Sequence, residues 1–142
     1  MNISVPDWLM YVAAGGQLFT GLVYPYVRHA VLDWYNDLRK LKPLNHRIAM
    51  TYGLYIQGMN LVFGVITLLL KDELRNGTGL AVALTGLIAG YWIGRVITLF
   101  IYLPVQDIPD RSFFKIGAFG INTLIIVLAI IFTLLFVGNL LV

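Results

Sequence analysis

From Gly79 to Leu103 the chain runs through apolar, aromatic, small and hydroxyl-bearing residues with a single charge, Arg95, in the second half of the stretch. A guanidinium held that far into hydrocarbon costs about 2.5–3.5 kcal/mol on insertion scales, so it must face protein or water rather than acyl chains. The same stretch carries Gly86, Gly90 and Gly94 at four-residue spacing. That places three residues without side chains on one helical face, where two backbones can approach closely. A segment of this kind needs neighbours, and the rest of the chain is read here as supplying them.

The composition fits a membrane setting. Of 142 residues, 59% are hydrophobic and 12% charged, where a soluble domain carries about 25% charged residues. Mean hydropathy is +0.82. The length allows one bundle and no separate soluble catalytic module. The net charge of +3 does not point to nucleic acid, because the basic residues lie between hydrophobic segments and act as topology signals. There is no cysteine, which removes disulfides and thiolate metal sites.

Four spans are predicted, at about 8–27, 48–70, 79–103 and 116–142. They form an all-α antiparallel bundle, with an amphipathic interfacial helix at about 27–41 between the first two. Met1–Trp8 has no Lys or Arg, so the first segment is read as a retained span rather than a cleaved signal. It holds Gly15, Gly16, Gln17, Thr20 and Gly21, and Pro25 is expected to kink or end it. In the interfacial segment Val27, Val31, Trp34, Leu38 and Leu41 recur at steps of four and three, with Arg28, Asp33, Asn36, Asp37 and Lys40 largely opposite. Pro43 closes that element.

In the second span Gly53, Gln57, Asn60, Gly64 and Thr67 share one face, and His46 stands one heptad before them. A small and polar stripe of this sort predicts a packing seam, with a ligand-facing wall as the alternative. Asn76-Gly77 predicts the turn that makes spans two and three a hairpin. Span three stops at Pro104. The loop after it carries Asp107, Pro109, Asp110 and Arg111, and Phe113 and Phe114 read as interfacial aromatics. In span four, Gly117, Gly120, Asn122 and Thr123 precede an aliphatic run expected to face lipid or a partner.

The first and third loops carry Arg28, Arg39, Lys40, Lys42, Arg47, Arg111 and Lys115, against Lys71 and Arg75 in the second. This puts the first and third loops in the cytoplasm and both termini outside.

Gln17, Gln57, Asn60, Arg95 and Asn122 are expected to converge on one layer, with Arg95 bonded to amide carbonyls and stacked on Tyr91 or Trp92. No Asp or Glu lies in a span, so Arg95 snorkels to headgroups, pairs with a partner's carboxylate or binds an anion. His29 and His46 are the available haem ligands, but they sit in the basic loop region where an ordinary solvated histidine belongs; no cofactor or metal is therefore predicted. The spans show no acid, base or nucleophile for catalysis, which weighs against an enzyme.

The run Leu38-Arg39-Lys40-Leu41-Lys42-Pro43-Leu44-Asn45-His46-Arg47, with Tyr52, Tyr55 and Gly64, resembles a group of small, functionally uncharacterised bacterial four-helix membrane proteins. The resemblance implies a bacterial inner-membrane location and no particular activity. The functional expectation is a non-catalytic accessory or assembly subunit that contacts lipid and either other membrane subunits or further copies of itself. The alternatives are a site around Arg95 for an amphipathic anion, or a haem-carrying redox subunit.

Overall fold

The computed structural model describes residues 5–102 and 111–142, and no strand occurs among them. Five α-helices follow in order: α1 (Asp7–Tyr26), α2 (Trp34–Arg39), α3 (Pro43–Leu69), α4 (Gly79–Tyr102) and α5 (Ser112–Leu140). Three of them, α3, α4 and α5, are long and apolar enough to cross a membrane. The loop residues Asp107, Pro109 and Asp110, and Pro104 as the stop of α4, lie outside the described residues.

The helices associate as two antiparallel pairs, α1 with α3 and α4 with α5, joined by a smaller α1–α5 contact. Glycine sets the first pair. A Cβ on Gly21 would lie 3.3 Å from the Leu61 backbone nitrogen, and one on Gly64 would lie 3.0 Å from that of Leu18. The two helices thus exchange equivalent contacts across their crossing, with each leucine seated on the other helix's glycine. In the second pair, Gly86 accepts the Phe136 ring. Gly16 receives Leu124 and Leu128 and joins α1 to α5.

One end of the bundle is sealed. Asn139 donates to the Leu74 carbonyl at 2.8 Å and to Thr85 Oγ1 at 3.3 Å, while its own oxygen accepts the Gly77 amide at 3.1 Å. Gly77, at φ +70°, is the left-handed residue of the predicted Asn76-Gly77 turn. Asn76 Oδ1 accepts from both the amide and the hydroxyl of Thr78, and Thr78 in turn accepts from the Ala81 amide to cap α4. Outside this turn, Asp7 and Asp72 share Lys71 and Arg75 at 2.6–3.0 Å. Arg75 also donates to the Val5 carbonyl. Hydrogen bonds, led by that of Arg75 to Asp7 and that of Lys71 to Asp72, hold both carboxyls below the ordinary carboxylate range.

The other end differs from the expectation. Residues 27–41 are not one amphipathic helix. Pro25 has no N–H to return to the carbonyl four residues earlier, and α1 widens into a π-turn over Val27–Val31, closed by the Leu32 amide on the Val27 carbonyl at 3.0 Å. Asp33 then takes a left-handed conformation, φ 47° and ψ 33°, and α2 follows with two turns only. The wide turn breaks the regular 3.6-residue period, so Arg28, placed by that period on the polar face, is instead turned inward. Pro43 separates α2 from α3 as expected, but it does so by opening α3 at its first position, where a missing N–H costs nothing.

In α5 the aliphatic part has two faces. Ile125, Leu128, Ile131, Phe132 and Leu135 are buried in the core, while Ile130, Leu134, Val137 and Leu140 are exposed, as expected of a surface for lipid or a partner. Gly117, Gly120 and Thr123 are exposed and Asn122 is half-buried. The long aliphatic side chains interlock with α4, as Phe136 does with Gly86, whereas the small residues of the first third have no such partner: a Cβ on Gly117 or Gly120 would meet nothing.

Candidate functional site

Two polar clusters lie inside the bundle where a single layer was expected. The first is complete in itself. Gln17 is fully buried; its amide nitrogen donates to Thr67 Oγ1 at 3.0 Å and to the Ala13 carbonyl at 3.2 Å, and its oxygen accepts from Trp92 Nε1 at 3.2 Å. Thr67 passes its own proton to the Phe63 carbonyl. The cluster fastens α1, α3 and α4 together. With every donor and acceptor engaged it is a structural tie, and Gln17 and Trp92 are not available to a ligand.

The second cluster is built on Arg28, which is 3% exposed. One terminal nitrogen donates to Gln57 Oε1 at 2.6 Å. The faces of the guanidinium lie near the rings of Tyr24 and Trp34, whose centroids are 4.4 and 5.1 Å from Cζ. Gly53 supplies the room: a Cβ there would come within 2.7 Å of both the Arg28 Nη1 and the Trp34 ring. Among the described residues, the buried Nε of Arg28 has no hydrogen-bond partner, and no carboxylate pairs with the cation. Desolvating an uncompensated cation is costly, and here it is offset in part by π faces and one amide oxygen.

Next to it, Tyr91 donates to Asn60 Oδ1 at 2.5 Å and packs edge-on against Phe63 and Trp92. These side chains bridge α4 to α3. Arg95 follows one turn later, half-buried, with no hydrogen bond or ion pair among the described residues. The amide oxygens expected to hold it are taken: that of Gln57 by Arg28, that of Asn60 by Tyr91 and that of Gln17 by Trp92. Asn122 makes no side-chain hydrogen bond among the described residues.

Of the predicted packing glycines, Gly53, Gly64 and Gly86 meet neighbours closely, while a Cβ on Gly90 or Gly94 would meet nothing within 4 Å. Those two lie on the outward face of α4, with Leu87 and Ile97. The histidines are apart in role. His46 Nδ1 lies 3.0 Å from the Leu38 carbonyl at the end of α2, and His29 is exposed with its ring edge-on to Tyr35.

Sequence reasoning missed Arg28 and Asn139. The signal for Arg28 was the notch formed by Gly53 one turn from Gln57, a gap with an acceptor beside it, together with Pro25 just upstream to break the wheel. For Asn139 there was none beyond an amide at the end of an aliphatic helix.

No protein-family model matches the chain, and no curated protein or solved structure is similar to it. What defines its class is the fold: helices without strands among the described residues, three of them long and apolar enough to cross a membrane, are consistent with a helical membrane protein.

Proposed function

We propose that the protein is a four-span, non-catalytic packing subunit, which joins another transmembrane helix through the outer face of α4. The carrying observation is the openness of Gly90 and Gly94. Gly16, Gly21, Gly53, Gly64 and Gly86 meet neighbours inside the bundle, whereas these two lie in line with Leu87 and Ile97 on one exposed face of α4. Small residues on an outer face let a second helix approach to backbone contact, where dispersion and weak hydrogen bonds replace the missing hydrophobic drive. The internally satisfied Gln17 cluster also supports this reading, since a polar tie across the centre closes the path a transporter would need.

α1 counts as the fourth span. Its mean hydropathy is lowered by Gly16, Gln17, Thr20 and Gly21, all of which are buried, while Trp8, Val12, Phe19 and Leu22 form the exposed side. Its 20 residues extend about 30 Å, the thickness of the hydrocarbon core.

The absence of cysteine makes the test direct. In native membranes, Ile97→Cys should form an oxidative cross-link to another chain and Val65→Cys, on exposed α3, should not. Gly90→Leu should abolish the Ile97→Cys product, and Val127→Leu should leave it unchanged. Equal cross-linking at positions 97 and 65, or indifference to Gly90→Leu, would remove the proposal.

A further inference from the structure

We infer that Arg28 and Arg95 form one anion subsite, at the end of the bundle away from the Asn76-Gly77 turn, that takes the phosphate of an amphipathic, lipid-like molecule. The inference is independent of how α4 meets a partner.

Among the described residues, no carboxylate pairs with Arg28 or with Arg95. Arg28 is the stricter case, because its Nε is buried and, among the described residues, without an acceptor, and an orphaned charged donor costs more than a neutral one. Among the described residues the nearby amide oxygens are already engaged. Hydrogen bonds tie the two neighbourhoods together: Arg28 donates to Gln57, and Tyr91, one turn before Arg95, donates to Asn60, three residues from Gln57 on α3. Arg28 and the turn that carries Arg95 therefore meet the same short stretch of α3.

Access follows from how burial changes along single helical faces. On α4, Thr85, Ile88 and Trp92 are buried, but Arg95 and Leu99, which continue that face, are half-buried. On α5, Leu128 and Ile125 are buried, yet Ile121, Ala118 and Phe114 further along are only half-buried. Burial thus falls off toward this end along both helices, among apolar side chains. α3 and α4 are not in close backbone contact here; Tyr91 spans the gap between them. A phosphate suits the donors, because a guanidinium offers a planar fork to two oxygens. The walls suit an acyl chain rather than a hydrated group.

The test uses the full chain in zwitterionic detergent, followed by thermal unfolding with added phosphatidylglycerol, phosphatidylcholine or inorganic phosphate. Phosphatidylglycerol should raise Tm by about 5 °C, as expected when ligand is well above its Kd, and phosphatidylcholine should not. Arg95→Gln, at a half-exposed position, should keep the ligand-free Tm and lose most of the shift. Arg28→Gln tests the buried cation, and Arg28→Lys, which keeps the charge but not the fork, covers the case in which Arg28→Gln fails to fold. If inorganic phosphate alone reproduces the shift and Arg95→Gln abolishes it, the subsite stands and its ligand is soluble phosphate rather than lipid. Equal shifts from the two lipids, or a full phosphatidylglycerol shift in folded Arg95→Gln, would overturn the inference.

Discussion

Gly53 fixes how near the Arg28 cage can approach α3. With a Cβ at that position within 2.7 Å of Nη1 and of the Trp34 ring, Gly53→Ala should destabilise the protein by about 1–3 kcal/mol, the cost of overpacking a filled site. Gly58, on the same helix, has open space around it. There the same substitution should be neutral or stabilise by up to about 1 kcal/mol through helix propensity. Thermal unfolding of the two variants side by side checks the contrast, and equal Tm values would contradict it. Gln17→Leu isolates the other cluster: it leaves the buried Trp92 N–H without an acceptor and should cost about 1–3 kcal/mol, read as a lowered Tm together with a shifted Trp emission. The roles of Gly53, Gly64 and Gln17 as interior contacts were readable from their spacing, because a glycine and amide stripe in an apolar helix has few other uses. That of Arg28 was not, because a charge after a span reads as a topology signal until the backbone irregularity that turns it inward is known.

The helices themselves were legible where hydrophobic length decided them, and poorly legible where a break in period did. α3, α4 and α5 lie within a few residues of the predicted spans, apart from the earlier start of α3. The segment after Pro25 was misread because a π-turn and a left-handed Asp33 interrupt a pattern that looks regular on a wheel. The inner face of α5 went unread for another reason: in lipid, aliphatic content marks lipid-facing and core-facing surfaces alike, so composition does not separate Ile130 and Leu134 outside from Leu128 and Phe132 inside. At the opposite end, the link between the start of α1 and the α3–α4 turn is electrostatic and pH-dependent. Asp7 and Asp72 have folded-state pKa values below the ordinary one, so they bind fewer protons when folded and stabilise the link above the unfolded carboxylate pKa of about 3.9. That contribution should disappear as pH falls below this value and through the lower folded-state values. The protection factor of the 71–78 turn against hydrogen exchange, relative to the intrinsic rate at each pH, should therefore fall on acidification below about pH 4, and should be low at any pH in an Asp7→Asn, Asp72→Asn double variant. Unchanged protection in that variant would show that the Asn139 contacts alone hold the turn.

Closure of the bundle determines how many times the chain crosses the membrane. The Val5 carbonyl accepts from Arg75, and Val142 lies against Gly77, so both described ends of the chain meet the same turn. Starting from that turn, α4 leads away from it and α5 returns to it, while α3 arrives at it from the far end, where α2 and the basic first loop lie. If these three helices cross a bilayer, α1 must cross as well, because its start is tied to the turn and its end, through Arg28, is carried toward α2 on the other side. On the proposed reading this packing supports a fourth crossing by α1 without using its hydropathy. Single cysteines at Asn76 and Leu141 should therefore react with a membrane-impermeant maleimide from the same side of sealed vesicles, and one at Asn45 from the opposite side. The excess of basic residues in the first loop predicts that Asn45 is on the cytoplasmic side, so in inside-out vesicles it alone should label. Labelling of positions 45 and 76 from one side would mean that α3 does not span, and the four-crossing bundle would have to be abandoned together with the depth assigned to Arg28 and Arg95.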